Sequence, residues 1–378
     1  MSTTAHASKF AAPAAQPDGR VPLIGCTKEE ILSFLAPHDV PTYRATQIYQ
    51  WIYQRGVKSF DEMANIPKEL REKLSAAFSL DRPAISRHQK SEDGTEKWLL
   101  QMSDKQLVEA VFIPEAERGT LCVSSQVGCT LTCRFCHTGT QPLVRNLGVA
   151  EMLHQIMFTR DALGEWPSNA PANGRDFTNI VLMGMGEPLY NYDNVAKAMQ
   201  ICMDPDGLAI SRKRITLSTS GVVPMIEQCG KDLGIRLAIS LHAPRDELRS
   251  DIMPINRKYP IEQLMEACRQ YPHTSPSNRI TFEYVMLKDV NDSPQDAKDL
   301  IKILSGIHAK VNLIPFNPWP GSDFTCSDPQ VIEDFAAIIE RGGIPAPIRK
   351  TRGQDILAAC GQLRSDSIRK KASAASQH

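Results

Sequence analysis

The spacing of apolar residues changes near residue 107. Before that point they recur at helical intervals. Thr27 and Glu30 stand in capping-box positions ahead of Ile31, Leu32, Phe34 and Leu35. Residues 43–53 carry Ile48, Trp51 and Ile52 at helical spacing, with Gly56 as a stop signal. Pro67 opens a third helix, with Leu70, Leu74 and Phe78 along one face. Beyond residue 107, short apolar runs at 108–113, 121–127, 179–183, 214–217, 236–240, 280–287 and 310–314 read as strands. Helical patterns fill most gaps, at 149–163, 194–202, 224–230, 261–271, 294–304 and 329–341. Alternation of this kind predicts an α/β fold with a parallel sheet and outer helices. A partial β/α barrel and an open doubly wound sheet both fit, and in either the functional groups gather where strands end. The expected division is a disordered tail over 1–21, a small helical accessory domain over 22–103, the β/α body over 104–347, and a C-terminal segment over 348–378.

Composition narrows the picture. Hydrophobic residues make up 42% of the 378, enough for a sizeable core. The 43 basic and 43 acidic residues cancel, which argues against a strongly basic nucleic-acid binder but leaves room for local patches. The helical region is balanced too, with 11 of each sign between 22 and 103. Candidate basic patches are Arg212-Lys213-Arg214, the run from Arg349 to Arg352, and Arg369-Lys370-Lys371. No apolar run is long enough to span a membrane. The Ala- and Pro-rich N-terminus lacks the apolar centre of a signal peptide, so a cytoplasmic protein is expected, with a monomer as the simplest state.

Four of the ten cysteines crowd into 122–136. Others, such as Cys202 and Cys268, sit in apolar helical contexts and read as core residues. The run Cys129-Thr-Leu-Thr-Cys133-Arg-Phe-Cys136 can bring three thiols to one compact centre, and thiolates suit iron–sulfur clusters, zinc and copper. A four-iron cluster held by three thiolates keeps one iron open to a substrate. Three rivals compete. Cys133-Arg-Phe-Cys136-His137 matches a c-type haem attachment motif, but that leaves Cys129 unexplained and calls for export. Zinc could take the three cysteines plus His137, although adjacent ligands are awkward on one tetrahedral ion. Inert core thiols fit poorly on a loop bearing Gly and Thr.

The C-x3-C-x2-C loop, together with Gly184-Met-Gly186-Glu187-Pro188 at the end of an apolar strand, resembles the radical S-adenosylmethionine (SAM) superfamily. Longer stretches are similar to the RlmN family of dual-specificity RNA methyltransferases: Leu121-Cys-Val-Ser-Ser-Gln-Val-Gly-Cys129, Leu217-Ser-Thr-Ser-Gly-Val-Val-Pro224, Ala238-Ile-Ser-Leu-His-Ala-Pro244, Asn312-Leu-Ile-Pro-Phe-Asn-Pro318 and Arg349-Lys-Thr-Arg-Gly-Gln-Asp355. The similarity runs over roughly 22–370.

This resemblance implies a partial (β/α)6 radical SAM barrel with a helical, RNA-binding accessory domain. It implies a [4Fe-4S] cluster with an open iron site, held by Cys129, Cys133 and Cys136, and two SAM molecules per turnover. Gly186, Glu187, Ser218, Ser240, Leu241, His242 and Asn317 correspond to SAM contacts. Cys360 corresponds to the methyl-accepting cysteine, Cys122 to the cysteine that resolves it through a transient disulfide, and Glu109 to the general base. Alternation along the strand puts Glu109 on the face of Val111 and Ile113, and partial burial would raise its pKa toward that role. Arg349, Lys350 and Arg352 are placed to favour a Cys360 thiolate if the fold brings them near. The implied substrates are 23S rRNA and tRNA, methylated at carbon 2 of adenosine, with a flavodoxin-like electron donor and a thiol reductant as partners. Carbon 2 lies between two ring nitrogens and is too electron-poor to attack a sulfonium methyl, so radical chemistry has a reason to be there. A sibling branch that methylates carbon 8 shares the cluster and both cysteines. From another class, a zinc-stabilised RNA-binding protein without catalysis remains open. His137 is read as a non-ligand.

Overall fold

The computed structural model describes residues 18–38, 40–171 and 174–365. The N-terminal unit begins with β1 (Val21–Pro22), α1 (Lys28–Leu35), α2 (Tyr43–Tyr53), α3 (Lys68–Ala77) and β2 (Phe78–Ser79), with β1 and β2 paired in parallel. The capping box forms as expected: Thr27 Oγ1 accepts from Glu30 N, and Thr27 N donates to Glu30 Oε2 at 2.8 Å. Glu30 also meets the buried Lys197 Nζ at 2.6 Å, joining this unit to the body.

Four strands follow: β3 (Ala84–Lys90), β4 (Glu96–Gln101), β5 (Leu107–Glu115) and β6 (Arg118–Cys122). Next come the short pair β7 (Gln126–Val127) and β8 (Arg145–Asn146), α4 (Val149–Leu163), β9 (Phe177–Leu182), α5 (Tyr192–Met203), β10 (Ile215–Thr219) and α6 (Val223–Asp232). The chain continues through β11 (Arg236–Ser240), α7 (Asp246–Ile252), α8 (Ile261–Arg269), β12 (Ile280–Met286), α9 (Pro294–Ile303), β13 (Ala309–Pro315) and α10 (Pro329–Arg341). One sheet of nine strands runs in the order β13-β12-β11-β10-β9-β6-β5-β4-β3. The strands from β13 to β6 are mutually parallel, each separated from the next in sequence by helix. These six strands are the partial (β/α)6 barrel, open at β13. From β6 to β3 the pairing is antiparallel.

Two expectations change. Residues 84–101, read as part of the helical domain, are two strands that extend the sheet. Only β4 carries an inward apolar pair, Trp98 and Leu100, while β3 is an exposed edge of mostly polar residues, so alternation was too sparse to signal a strand. The run 121–127 divides: β6 ends at Cys122, and Gln126–Val127 pairs with Arg145–Asn146 instead. Of the basic patches, Arg369-Lys370-Lys371 lies outside the described residues. Among the described residues no helix is long and apolar enough to cross a membrane.

Candidate active site

The cysteine loop leaves β7 beside the C-terminal ends of the parallel strands. Gly128 turns it at φ +77°, and a Cβ there would fall 2.2 Å from Pro142 O, so the position demands glycine. Cys136 N donates to Cys133 O at 3.1 Å and Gly139 N to Cys136 O at 3.0 Å, coiling the loop on itself. The result is one cavity of about 160 Å³ onto which Cys129, Cys133 and Cys136 all open. Burial pushes the Cys129 thiol up to about 12. Burial also raises Cys133, as do Cys136 and Cys129 beside it. Three crowded, half-buried thiols become thiolates when a cationic centre sits among them, and the donor set therefore fits an iron–sulfur cluster.

The zinc alternative fits less well. His137 faces away from the thiols: its Nδ1 lies 3.3 Å from Gln362 O and its Nε2 lies 3.1 Å from Arg364 Nη1. Among the described residues no three Cys, His, Asp or Glu side chains converge on a single metal ion. A cluster instead spreads its ligands over separate irons.

The strand ends supply the rest of that cavity. Gly186 takes φ +100°, where a Cβ would strike Gln126 at 2.5 Å, and this close approach seats the Glu187 turn against the cysteine loop. Glu187 is buried, and burial raises its carboxyl. Its Oε2 accepts from Ser220 N at 2.7 Å and its own N–H donates to Gln126 Oε1 at 3.0 Å. Ser218, Ser240 and His242 line the same cavity. His242 sits at φ +61°, its Nδ1 accepts from Val285 N at 3.0 Å, and its ring meets Phe135 edge-on at 4.6 Å. Leu241 does not line the cavity: it is fully buried, and its N–H donates to Glu283 O at 3.1 Å. Asn317 borders a neighbouring cavity, where its Nδ2 donates to Cys360 O at 3.3 Å.

That neighbouring cavity, of about 40 Å³, holds Cys122 and Cys360 together. Cys122 comes from the end of β6 and Cys360 from the C-terminal loop. Cys360 and Arg349 border both cavities and so form the wall between them. Burial pushes Cys122 up to about 12, with Cys360 adding to the rise and Arg349 opposing it. Burial raises Cys360 as well, while Arg349 draws it down. Of the three cations expected near Cys360, Arg349 and Arg352 border its cavity, and Lys350 is exposed.

Glu109 lies on the predicted face of β5, but it borders neither cavity. It is buried, its Oε1 lies 3.1 Å from Lys97 Nζ, and its Oε2 accepts from Arg364 N at 2.8 Å. Arg212, Lys213 and Arg214 precede β10, at the opposite end of the strand from the cavities.

Sequence reasoning missed two residues of the site. Glu283 on β12 lines the main cavity, where its Oε2 accepts from Asn312 Nδ2 at 2.7 Å. A lone carboxylate in the apolar run Ile280–Met286 was the available signal. Arg249 of α7 is fully buried and donates to Leu241 O at 3.0 Å, Ser220 O at 2.7 Å and Ser240 O at 3.1 Å, pinning the ends of β10 and β11. Nothing in its sequence neighbourhood announces that clamp.

Comparisons with known proteins agree with this architecture. The pattern of the ribosomal RNA large subunit methyltransferase N-terminal domain matches residues 21–80, and that of the radical SAM superfamily matches residues 123–301. The dual-specificity RNA methyltransferase RlmN of Rhodospirillum rubrum is 60% identical over 353 residues, covering 93% of this chain and 82% of its own length. RlmN of Sinorhizobium medicae is 56% identical over 94% of this chain and 90% of its own. The crystal structure of a radical SAM methyltransferase from Sphaerobacter thermophilus superposes with a TM-score of 0.84 at 42% identity, covering 90% of this chain and 98% of that one. With relatives this close along almost its whole length, the chain belongs to the RlmN family of radical SAM dual-specificity RNA methyltransferases.

Proposed function

We propose that this enzyme methylates carbon 2 of adenosine in 23S rRNA and in tRNA by way of a methyl group carried on Cys360. The supporting observation is that Cys360 borders both the cavity of the cysteine triad and the cavity of Cys122. One sulfur thus faces a radical source on one side and a second thiol on the other.

Cys129, Cys133 and Cys136 hold the [4Fe-4S] cluster, and SAM occupies the cavity they share with Gly186, Glu187, Ser218, Ser240 and His242. Held there, a cluster would supply one electron for cleaving a carbon–sulfur bond of SAM, which is the source of radical chemistry in this cavity. Glu187 would hold the SAM amino group, whereas Leu241, with its N–H and C=O both bonded within the protein, helps fix the end of β11. Asn317 serves the same chemistry from the other cavity by holding the Cys360 carbonyl. Arg249 keeps the strand ends in register.

Cys360, as a thiolate favoured by Arg349, accepts a methyl group from one SAM. That S-methyl group would give up a hydrogen atom to the radical derived from a second SAM and bond through carbon to adenine carbon 2, the adduct's unpaired electron then returning to the centre that supplied the first. Glu109 takes the proton from carbon 2 once RNA has moved Arg364 off its carboxylate. Cys122 then attacks the Cys360 sulfur, releasing the methylated base and leaving a disulfide. A thiol reductant resets the pair, a flavodoxin-like protein provides electrons, and the chain works as a cytoplasmic monomer. The Arg349–Arg352 loop meets RNA phosphates near an extruded adenosine, chiefly through the exposed Lys350. Arg212–Arg214, at the far end of the strands, is assigned no part in that contact.

The test is Cys360→Ala in anaerobic, cluster-loaded protein. Iron and sulfide should match the wild type while RNA methylation disappears. Methylated RNA from this variant would overturn the assignment.

A further inference from the structure

His137 directly follows the last cysteine of the triad and has no role in the reaction above. It nevertheless reaches the Cys360 loop three times. Its N–H donates to Gly361 O at 2.7 Å. Its Nδ1 lies 3.3 Å from Gln362 O, and its Nε2 lies 3.1 Å from Arg364 Nη1. One neutral tautomer serves both: Nδ1–H donates to the carbonyl, and the bare Nε2 accepts from the guanidinium. The ring also stacks on Trp319 at 4.8 Å and 7°. Trp319 Nε1 donates to Phe135 O at 3.0 Å, which leads back to the triad loop.

The residues on either side strengthen this seam. Thr138 Oγ1 donates to Leu363 O at 2.6 Å, and Ser365 N donates to Gln141 Oε1 at 3.1 Å. Gln362 Nε2 donates to Pro318 O at 2.7 Å. On its far side the same loop is fastened to the sheet, where Lys97 Nζ donates to Leu357 O at 3.1 Å and Arg364 N donates to Glu109. The Cys360 loop is therefore held between the sheet and the triad loop; across the second seam His137 and Gln141 each make two side-chain hydrogen bonds, and His137 alone of the two adjoins a triad cysteine.

We propose that His137 is a positioning residue that makes the order of the Cys360 loop depend on the cluster-bearing loop. The inference rests on reading Cys360 as the methyl acceptor. Filling the triad fixes residues 133–141, and His137 passes that order to residues 361–365. Cys360 is then held in place for methylation only in a chain that has its radical source. The backbone bond from residue 137 to Gly361 remains available to Ala and Phe at this position, so the side-chain share is what these variants remove.

The experiment is peptide-resolved hydrogen exchange over residues 357–365 in the full-length chain under anaerobic conditions, with the cluster loaded and after chelation. Removing iron from wild-type protein should speed exchange of this segment about tenfold, the size expected for losing one to two hydrogen bonds. Cluster-loaded H137A should exchange like the iron-free wild type while keeping a wild-type iron content. H137F, which can still stack on Trp319 but lacks both ring bonds, should fall between them. Wild-type exchange that ignores iron, or H137A exchange equal to loaded wild type, overturns the proposal. So does iron loss in H137A, or faster exchange spread evenly through the barrel, since either gives His137 a different role. None of these readings uses SAM or RNA. Failure of the methylation mechanism would appear separately, as wild-type protein that leaves RNA unmethylated.

Discussion

Cys122 and Cys360 share a cavity but not an environment. Cys360 is drawn down by Arg349 as its leading opposing influence, whereas for Cys122 burial and the neighbouring Cys360 both outrank that arginine. That difference fits the proposed division of labour, in which Cys360 accepts the methyl group and Cys122 resolves it. Replacing Cys122 with Ala should leave the RNA joined to Cys360, visible as a protein–RNA species on a denaturing gel. Loss of turnover with no such species would contradict the resolving role. Two histidines, His242 buried and His154 half-buried, set a pH dependence. Burial, with Arg82 and Arg249 nearby respectively, lowers His154 and His242 from 6.5 to about 3. Between those values the unfolded chain binds protons that the folded chain does not, so stability falls as pH drops from above 6.5 toward 3. The urea midpoint should be lower at pH 5 than at pH 7, and His154→Leu should lessen the difference. An unchanged difference would remove His154 from the account. The triad was legible in the sequence because its geometry is local, with three thiols within eight positions of one loop. Arg249 and Glu283 were not, because their roles depend on which strand ends the fold brings side by side.

At the scale of elements, the parallel strands and the helices between them were legible because apolar runs and helical periods alternate regularly. The β3–β4 hairpin was not, since an exposed edge strand has little reason to be apolar. That hairpin matters, because its turn also anchors the C-terminal loop: Gly353 N donates to Asp93 Oδ2 at 2.9 Å and Ser91 Oγ to Asp355 Oδ1 at 2.5 Å. The basic run at Arg212–Arg214 shows the converse. Its charge was legible, but its place at the wrong end of β10 depends on strand direction. The N-terminal unit meets the body partly through the Glu30–Lys197 pair, which is largely out of water. Lys197→Met leaves a carboxylate there without that cation and should cost about 2–4 kcal/mol in chemical denaturation. A loss below about 0.5 kcal/mol would mean that the pair does not hold the two units together.

Over the whole molecule, the barrel gathers groups from both ends of the chain around two adjoining cavities. The N-terminal side of the sheet brings Cys122, the middle brings the triad, and the last described segment brings Arg349 and Cys360. The central claim is that the methyl carbon passes through Cys360 and loses a hydrogen there before reaching RNA. Atom balance makes this testable. A methyl group that gives up one hydrogen to a radical and regains one on release keeps two of its original three. The direct measurement is mass spectrometry of nucleosides from RNA methylated anaerobically with SAM bearing a trideuterated methyl group. The account predicts 2-methyladenosine carrying two deuteriums. A methyl group with all three, or one located at carbon 8, would contradict it.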